Sequence, residues 1–202
     1  MLLVVFVTQT LADEPAAKPA TVLVLGDSLS AGYGMDVHQT WVYMLEARLQ
    51  SEGYGYRAIN ASISGDTTGN GLRRLPRALD IHQPEIVIIE LGGNDGIRGL
   101  PVRVMRDNLD QMINKARASG AMVVLAGILI PPNYGEDYAN EFAAVYGELA
   151  AKYDLPLIPF FMEGVALDPT KMQADGIHPN TDAQPILLNN VWDVLGPALK
   201  ES

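Results

Sequence analysis

The sequence predicts an α/β fold, a three-layer sandwich with helices on both faces of a central, mostly parallel sheet of about five strands. Two observations carry this. Short apolar runs alternate along the chain with segments of helical period, the order that builds parallel sheets. One of them, Ile86–Leu91 (I-V-I-I-E-L), is apolar at nearly every position, as a strand covered on both faces should be.

The strands are read as Thr21–Leu25, Tyr56–Asn60, Ile86–Leu91, Ala121–Leu129 and Leu157–Phe160. Between them, Trp41, Met44, Leu45, Arg48 and Leu49 follow i, i+3, i+4 spacing, as do Val102, Met105, Leu109, Met112, Ile113 and Ala116. The pattern returns at Phe142, Val145, Tyr146 and Leu149, and again at Leu188, Val191, Trp192, Leu195 and Leu199. Methionine and aromatic stripes of this kind are core. Gly120 follows the second helix where a C-terminal stop is expected. Arg73, Arg74 and Arg77 read as the solvated face of a further helix.

At 202 residues, with 48% apolar and 19% charged side chains, the chain has the size and composition of one globular α/β unit, expected over residues 21–202. A net charge of −10 argues against nucleic acid as a partner, because phosphate binding needs clustered Lys and Arg. The apolar run Leu2–Val7 is too short to span a bilayer. It reads as a signal-peptide remnant, with Thr10 and Ala12 as the small residues before a cut, although no Lys or Arg opens it. Residues 1–20 are therefore taken as that remnant and a flexible lead-in, which points to a periplasmic or secreted protein. A monomer is the expected state.

Ligands of open α/β sheets bind at the carboxyl ends of the strands. Three loops there are dense in small polar residues: Gly26-Asp27-Ser28-Leu29-Ser30, Asn60-Ala61-Ser62-Ile63-Ser64-Gly65-Asp66-Thr67, and Gly92-Gly93-Asn94-Asp95-Gly96. A fourth segment, Asp175-Gly176-Ile177-His178-Pro179, precedes the last helix. In a chain with three histidines and no cysteine, these hold the parts of a Ser-His-Asp nucleophilic system. A serine hydroxyl needs a base within hydrogen-bond reach, itself oriented by a third group.

Each segment alone also has a bland reading. G-D-S suits a turn with an N-cap serine, G-G-N-D is a common turn, and D-x-x-H fits a capped helix start or half a metal site. Four of them at one sheet edge are far more specific. Asp27 reads as a loop hydrogen-bonder, Asp95 as a loop organiser, Asp66-Thr67 as the cap of the next helix, and His38 and His82 as surface residues. No metal cluster, nucleotide motif or cofactor site is apparent.

With G-D-S-L-S-A-G-Y, N-A-S-I-S-G-D-T, E-L-G-G-N-D-G, P-x-N-Y-G, P-F-F-M-E and D-G-I-H-P-N, the chain resembles the SGNH (GDSL-type) hydrolases over about Val22 to Pro197. Within them it is similar to the bacterial periplasmic thioesterase, arylesterase and lysophospholipase enzymes. The resemblance implies Ser28 as nucleophile, His178 as base and Asp175 as the acid behind it. It implies an oxyanion hole from the main-chain N–H groups of Ser28 and Gly65 and the amide of Asn94. It further implies hydrolysis of esters and thioesters through an acyl-serine, with no cofactor. The acyl chain would lie in an apolar groove lined by Ile130, Pro131 and Tyr134, beside an adjustable loop Gly96–Pro101. Two alternatives stand beside this: a polysaccharide acetylesterase of the same superfamily, and a non-catalytic phosphate-binding module.

Overall fold

The computed structural model describes residues 19–199; the segment read as a signal-peptide remnant lies, up to residue 18, outside the described residues. Five strands, β1 (Ala20–Gly26), β2 (Tyr56–Asn60), β3 (Ile86–Glu90), β4 (Met122–Ala126) and β5 (Leu157–Ile158), form one sheet in the order β2-β1-β3-β4-β5. Every pairing is parallel. The helices are α1 (Ser28–Ala31), α2 (Trp41–Ser51), α3 (Thr68–His82), α4 (Gly93–Ile97), α5 (Val102–Ala118), α6 (Glu136–Tyr153) and α7 (Gln184–Leu195). α2 and α7 pack together on one face, and α3, α5 and α6 make a contiguous layer on the other. This is the expected α/β/α sandwich, with the chain reversing direction across the sheet between β1 and β3.

Local chemistry sets the element ends. The Thr40 hydroxyl oxygen accepts from the Tyr43 N–H at the start of α2, and that of Thr67 accepts from Asn70 N–H at the start of α3. Gly120 follows α5 at φ +89°, the left-handed conformation that lets a chain leave a helix without a Cβ clash. The core runs through the sheet: Val22–Leu25, Val87–Ile89 and Val124–Ala126 are wholly buried, and the expected helix stripes close over them.

Three kinds of expectation are corrected: two strand ends, a helix end and one side chain. β4 ends at Ala126 rather than Leu129, and β5 at Ile158 rather than Phe160. Pro159 supplies no ladder donor, and Gly127 passes so close to it that a Cβ would lie 2.3 Å from the Pro159 carbonyl oxygen. α7 stops at Leu195, before Gly196-Pro197, so Leu199 packs on the core from beyond the helix.

The third correction is Arg74. Arg73 and Arg77 are exposed, but the Arg74 side chain is only 21% exposed. Its guanidinium donates to Asp66 Oδ2 at 2.6 Å, to the Gly26 carbonyl at 3.0 Å and to the Ala61 carbonyl. One planar fork thus ties the loop after β1 to the loop after β2. Asp66 holds this arginine, and the helix cap falls to Thr67 alone.

Arg74→Ala strands a nearly buried carboxylate and the Ala61 carbonyl, and takes one of two donors from the Gly26 carbonyl. It should cost about 2–3 kcal/mol in urea denaturation, and Arg74→Lys should recover less than half of that.

Candidate active site

The loops after β1, β2 and β3 meet at the carboxyl edge of the sheet, because β1 lies between β2 and β3. Gly26 pairs with Glu90 at the last rung, and the chain turns at once into α1. Asp27 is the N-cap of that short helix and accepts from Leu29 N–H at 3.0 Å. Ser28 is its first residue rather than its cap, so the hydroxyl is left free to face outward.

Ser28 Oγ lies 3.0 Å from His178 Nε2, although the two are 150 positions apart. On the other side of the ring, His178 Nδ1 lies 2.7 Å from Asp175 Oδ2. The second Asp175 oxygen accepts the main-chain N–H groups of Ile177 at 2.9 Å and His178 at 3.0 Å. The His178 N–H, then the His178 ring, then the Ile177 N–H hold the Asp175 carboxyl down at about 2. It therefore stays ionised at any ordinary pH and fixes the tautomer with the proton on Nδ1 and the lone pair facing Ser28.

The main-chain N–H groups of Ser28 and Gly65 have no acceptor among the described residues. Gly65 is at φ +83°, and an added Cβ would meet only the Arg98 guanidinium at 3.9 Å, so its backbone conformation rather than crowding calls for glycine. Asn94 completes the set. Its Nδ2 donates to Asp27 Oδ2 at 3.1 Å, and its Oδ1 accepts from Arg98 Nη2 at 3.3 Å. That pair of contacts fixes which end of the amide is nitrogen and leaves its second N–H unspent. Arg98 also donates to the Gly65 carbonyl at 3.0 Å.

A cavity of about 660 Å³ opens beside Ser28. Ile130, Pro131 and Tyr134 all line it, Ile130 buried and the other two exposed. Further apolar wall comes from Ile97, Leu129, Phe160 and Met162. These carry no local signal in the sequence. Phe160 and Met162 sit past a strand end, where the turn of the chain decides which side chains face the cavity.

Two buried carboxyls lie under the site. Asp27 is 1% exposed and Glu90 wholly buried. Burial pushes Asp27 up to about 6, against the pull of the Leu29 N–H and the Asn94 amide. Burial first, then the Asp27 charge, pushes Glu90 well above the carboxylate range. Glu90 Oε2 accepts from Ser30 Oγ at 2.6 Å, and Oε1 has no hydrogen-bond partner among the described residues. Sequence reading passes over Glu90 because it sits inside an apolar strand. Asp95 is the loop organiser expected, accepting Thr68 N–H at 2.8 Å and Thr68 Oγ1 at 2.6 Å. His38 is exposed, as expected, whereas His82 is half-buried at the end of α3.

An α/β sandwich with Ser, His and Asp in line at the carboxyl edge of its sheet has the makings of a serine hydrolase. The sequence profile of the GDSL-like lipase/acylhydrolase family matches residues 24–184. The chain is 54% identical over 183 residues to the esterase TesA of Pseudomonas aeruginosa, covering 91% of each chain. It is 49% identical over 182 residues to thioesterase 1/protease 1/lysophospholipase L1 of Escherichia coli K12, covering 90% of this chain and 86% of that one. The psychrotrophic esterase EstA of Pseudoalteromonas, in a crystal structure inhibited by monoethylphosphonate, superposes with a TM-score of 0.85 at 41% identity, covering 88% of this chain and 97% of its own. The chain belongs to the GDSL-like lipase/acylhydrolase family, and it is an ester hydrolase. That sets aside the reading as a non-catalytic phosphate-binding module.

The buried pair has a consequence for stability. With its folded pKa raised, Glu90 keeps a proton that the unfolded chain releases near pH ~4.3, so stability falls as pH rises above that value. Glu90→Gln mimics the protonated form. Its melting temperature should fall less than that of the wild type between pH 5 and 8, by roughly 2–4 °C for each kcal/mol recovered. Equal slopes in a thermal melt series would show that Glu90 is not the group titrating.

Proposed function

We propose that Ser28 is the nucleophile, His178 the general base and Asp175 its orienting acid in the hydrolysis of carboxylic esters and thioesters. Aryl and alkyl esters, acyl-CoA and lysophospholipids are the substrates, and an acyl-serine is the intermediate. The observation that carries this is the contact of Ser28 Oγ with His178 Nε2 at 3.0 Å, at the mouth of an apolar cavity of about 660 Å³. The names of relatives at about half identity, esterase and thioesterase/lysophospholipase, support the substrate classes.

In the acylation step the Ser28 oxygen bonds to the substrate carbonyl carbon as its proton passes to His178 Nε2. The resulting imidazolium faces the Asp175 carboxylate, which stabilises the charge without taking the proton. The carbonyl oxygen, now an oxyanion, receives the N–H groups of Ser28 and Gly65 and the free Asn94 amide hydrogen. Collapse breaks the bond to the leaving alcohol or thiol, which takes the proton from Nε2. Water then repeats the sequence on the acyl-serine and frees the acid. Ile130, Pro131 and Tyr134 hold the acyl chain. The protein acts as a monomer after loss of its leader in the periplasm or outside the cell, with residues 21–202 as the hydrolase unit.

Ser28→Ala should lose at least ~10⁴-fold in turnover while keeping the wild-type melting curve. Retained turnover would move the nucleophile elsewhere. Asn94→Ala should lower kcat by ~10²–10³ and leave KM within a few-fold, since its donor meets charge that exists only in the transition state. An effect confined to KM would make it a binding residue instead. A p-nitrophenyl ester series should show kcat/KM rising from acetyl to longer acyl chains; highest activity on acetyl esters and acetylated xylan would favour the acetylesterase reading.

A further inference from the structure

Asp175 orients the His178 ring, but it cannot set where that ring stands relative to Ser28. The acid and the base are three residues apart, and every partner of the Asp175 carboxylate, Ile177 N–H, His178 N–H and His178 Nδ1, belongs to the same short loop. The pair moves as a unit. Its outer part is open to solvent, with Asp175, Gly176 and Ile177 all exposed. The reacting contact nevertheless needs Nε2 within hydrogen-bond reach of a serine on a different loop, so something must register the two loops.

Gln173 is placed to do so. Its main-chain N–H donates to the His178 carbonyl at 2.7 Å, and its side-chain Nε2 donates to the Pro179 carbonyl at 3.0 Å. These bonds close the base loop around His178. The second Nε2 hydrogen leaves the loop and donates to the Tyr33 carbonyl at 2.7 Å. Tyr33 in turn donates its N–H to the Ser28 carbonyl at 3.3 Å, and its ring lies against the His178 ring at 4.3 Å between centroids. Among the described residues, no hydrogen bond other than Gln173–Tyr33 joins residues 28–34 to residues 172–180, apart from the reacting Ser28–His178 contact. Gly34 is at φ +75°, which itself calls for glycine, and a Cβ there would also stand 2.5 Å from Gln173 Oε1. The amide packs down onto bare backbone.

We propose that Gln173 is a positioning residue, a clasp from the base loop to the Tyr33 main chain that holds His178 Nε2 in register with Ser28 Oγ. The inference rests on the reading of His178 as the base. Gln173 itself does not line the cavity, so it reaches the chemistry only through the residues it holds, His178 first among them.

The test is steady-state kinetics on an activated aryl ester with Gln173→Met, which fills the same space without donors, Gln173→Ala and Gly34→Ala, each alone and with His178→Ala. On the wild-type background kcat should fall about 10–100-fold with KM within ~3-fold. On the His178→Ala background the same changes should leave the residual rate within ~2-fold, because there is no base left to position. Wild-type kcat in Gln173→Met and Gly34→Ala overturns the clasp while leaving the base assignment intact. An equal loss with and without His178 also overturns it, by showing a general structural effect. Turnover that survives His178→Ala alone sinks the base assignment and the clasp together. Gln173→Met and Gly34→Ala carry the test if Gln173→Ala does not fold.

Discussion

Where β1 and β3 run side by side, Gly26 stands opposite Glu90, and both strands end within a residue. A Cβ on Gly26 would lie 2.7 Å from the Glu90 carboxyl and 2.9 Å from Ser30, so the chain can close its turn there only without a side chain. The turn sends Asp27 inward and raises Ser28 onto the first turn of α1. The neighbouring loops are then built onto the same corner. The Gly26 carbonyl accepts from Ile63 N–H at 3.1 Å and from Arg74 at 3.0 Å, which brings in the loop that carries Gly65. Asp27 reaches the Asn94 amide on the loop after β3. The proposed nucleophile Ser28 and the proposed oxyanion donors on Ser28, Gly65 and Asn94 hang from one tight strand ending.

Three carboxyls around the site show how environment divides identical chemistry. Asp175, open to water and bonded to two main-chain N–H groups and a ring, stays ionised far below neutrality. Asp27, buried but holding two hydrogen bonds to its charged form, is pushed up by that burial to about 6. Glu90, wholly enclosed with one oxygen lacking a hydrogen-bond partner among the described residues, is driven to the neutral form.

The sheet also divides labour along its width. Ser28, Gly65 and Asn94, to which the proposed mechanism gives the reacting and charge-stabilising roles, sit on the loops after the first three strands in chain order, which lie side by side in the sheet. The apolar wall comes largely from the chain after β4 and β5, on the other half. Gly127 allows that half to close, since it lets the β4 strand end pass against the Pro159 backbone. His178 is outside this scheme: it arrives from a loop before α7 that has no strand to fix it, which is why its registration with Ser28 falls to the proposed Gln173 clasp.

The sequence by itself determined the layered fold, the sheet's strands and the residues with chemical capacity. All of these rest on local patterns: apolar runs, helical period, and small polar residues next to strand ends. β2 is legible to the residue, and Ser28, Asn94, Asp175 and His178 stand out because few other residues of the chain could do such work. β4 and β5 are overextended in the sequence reading because nothing local announces that Gly127 will pass tight against the Pro159 backbone. Arg74 and Glu90 are misjudged for the same reason. An arginine with two like neighbours resembles a helix surface, and a glutamate within I-V-I-I-E-L resembles a strand with one polar interruption. Only the tertiary structure decided that the first would be enclosed by three acceptors and the second sealed beside Asp27. Burial and hydrogen-bond partnership are properties of what a side chain meets, and the hydrogen-bond partners of these two lie from 8 to 60 residues away along the chain.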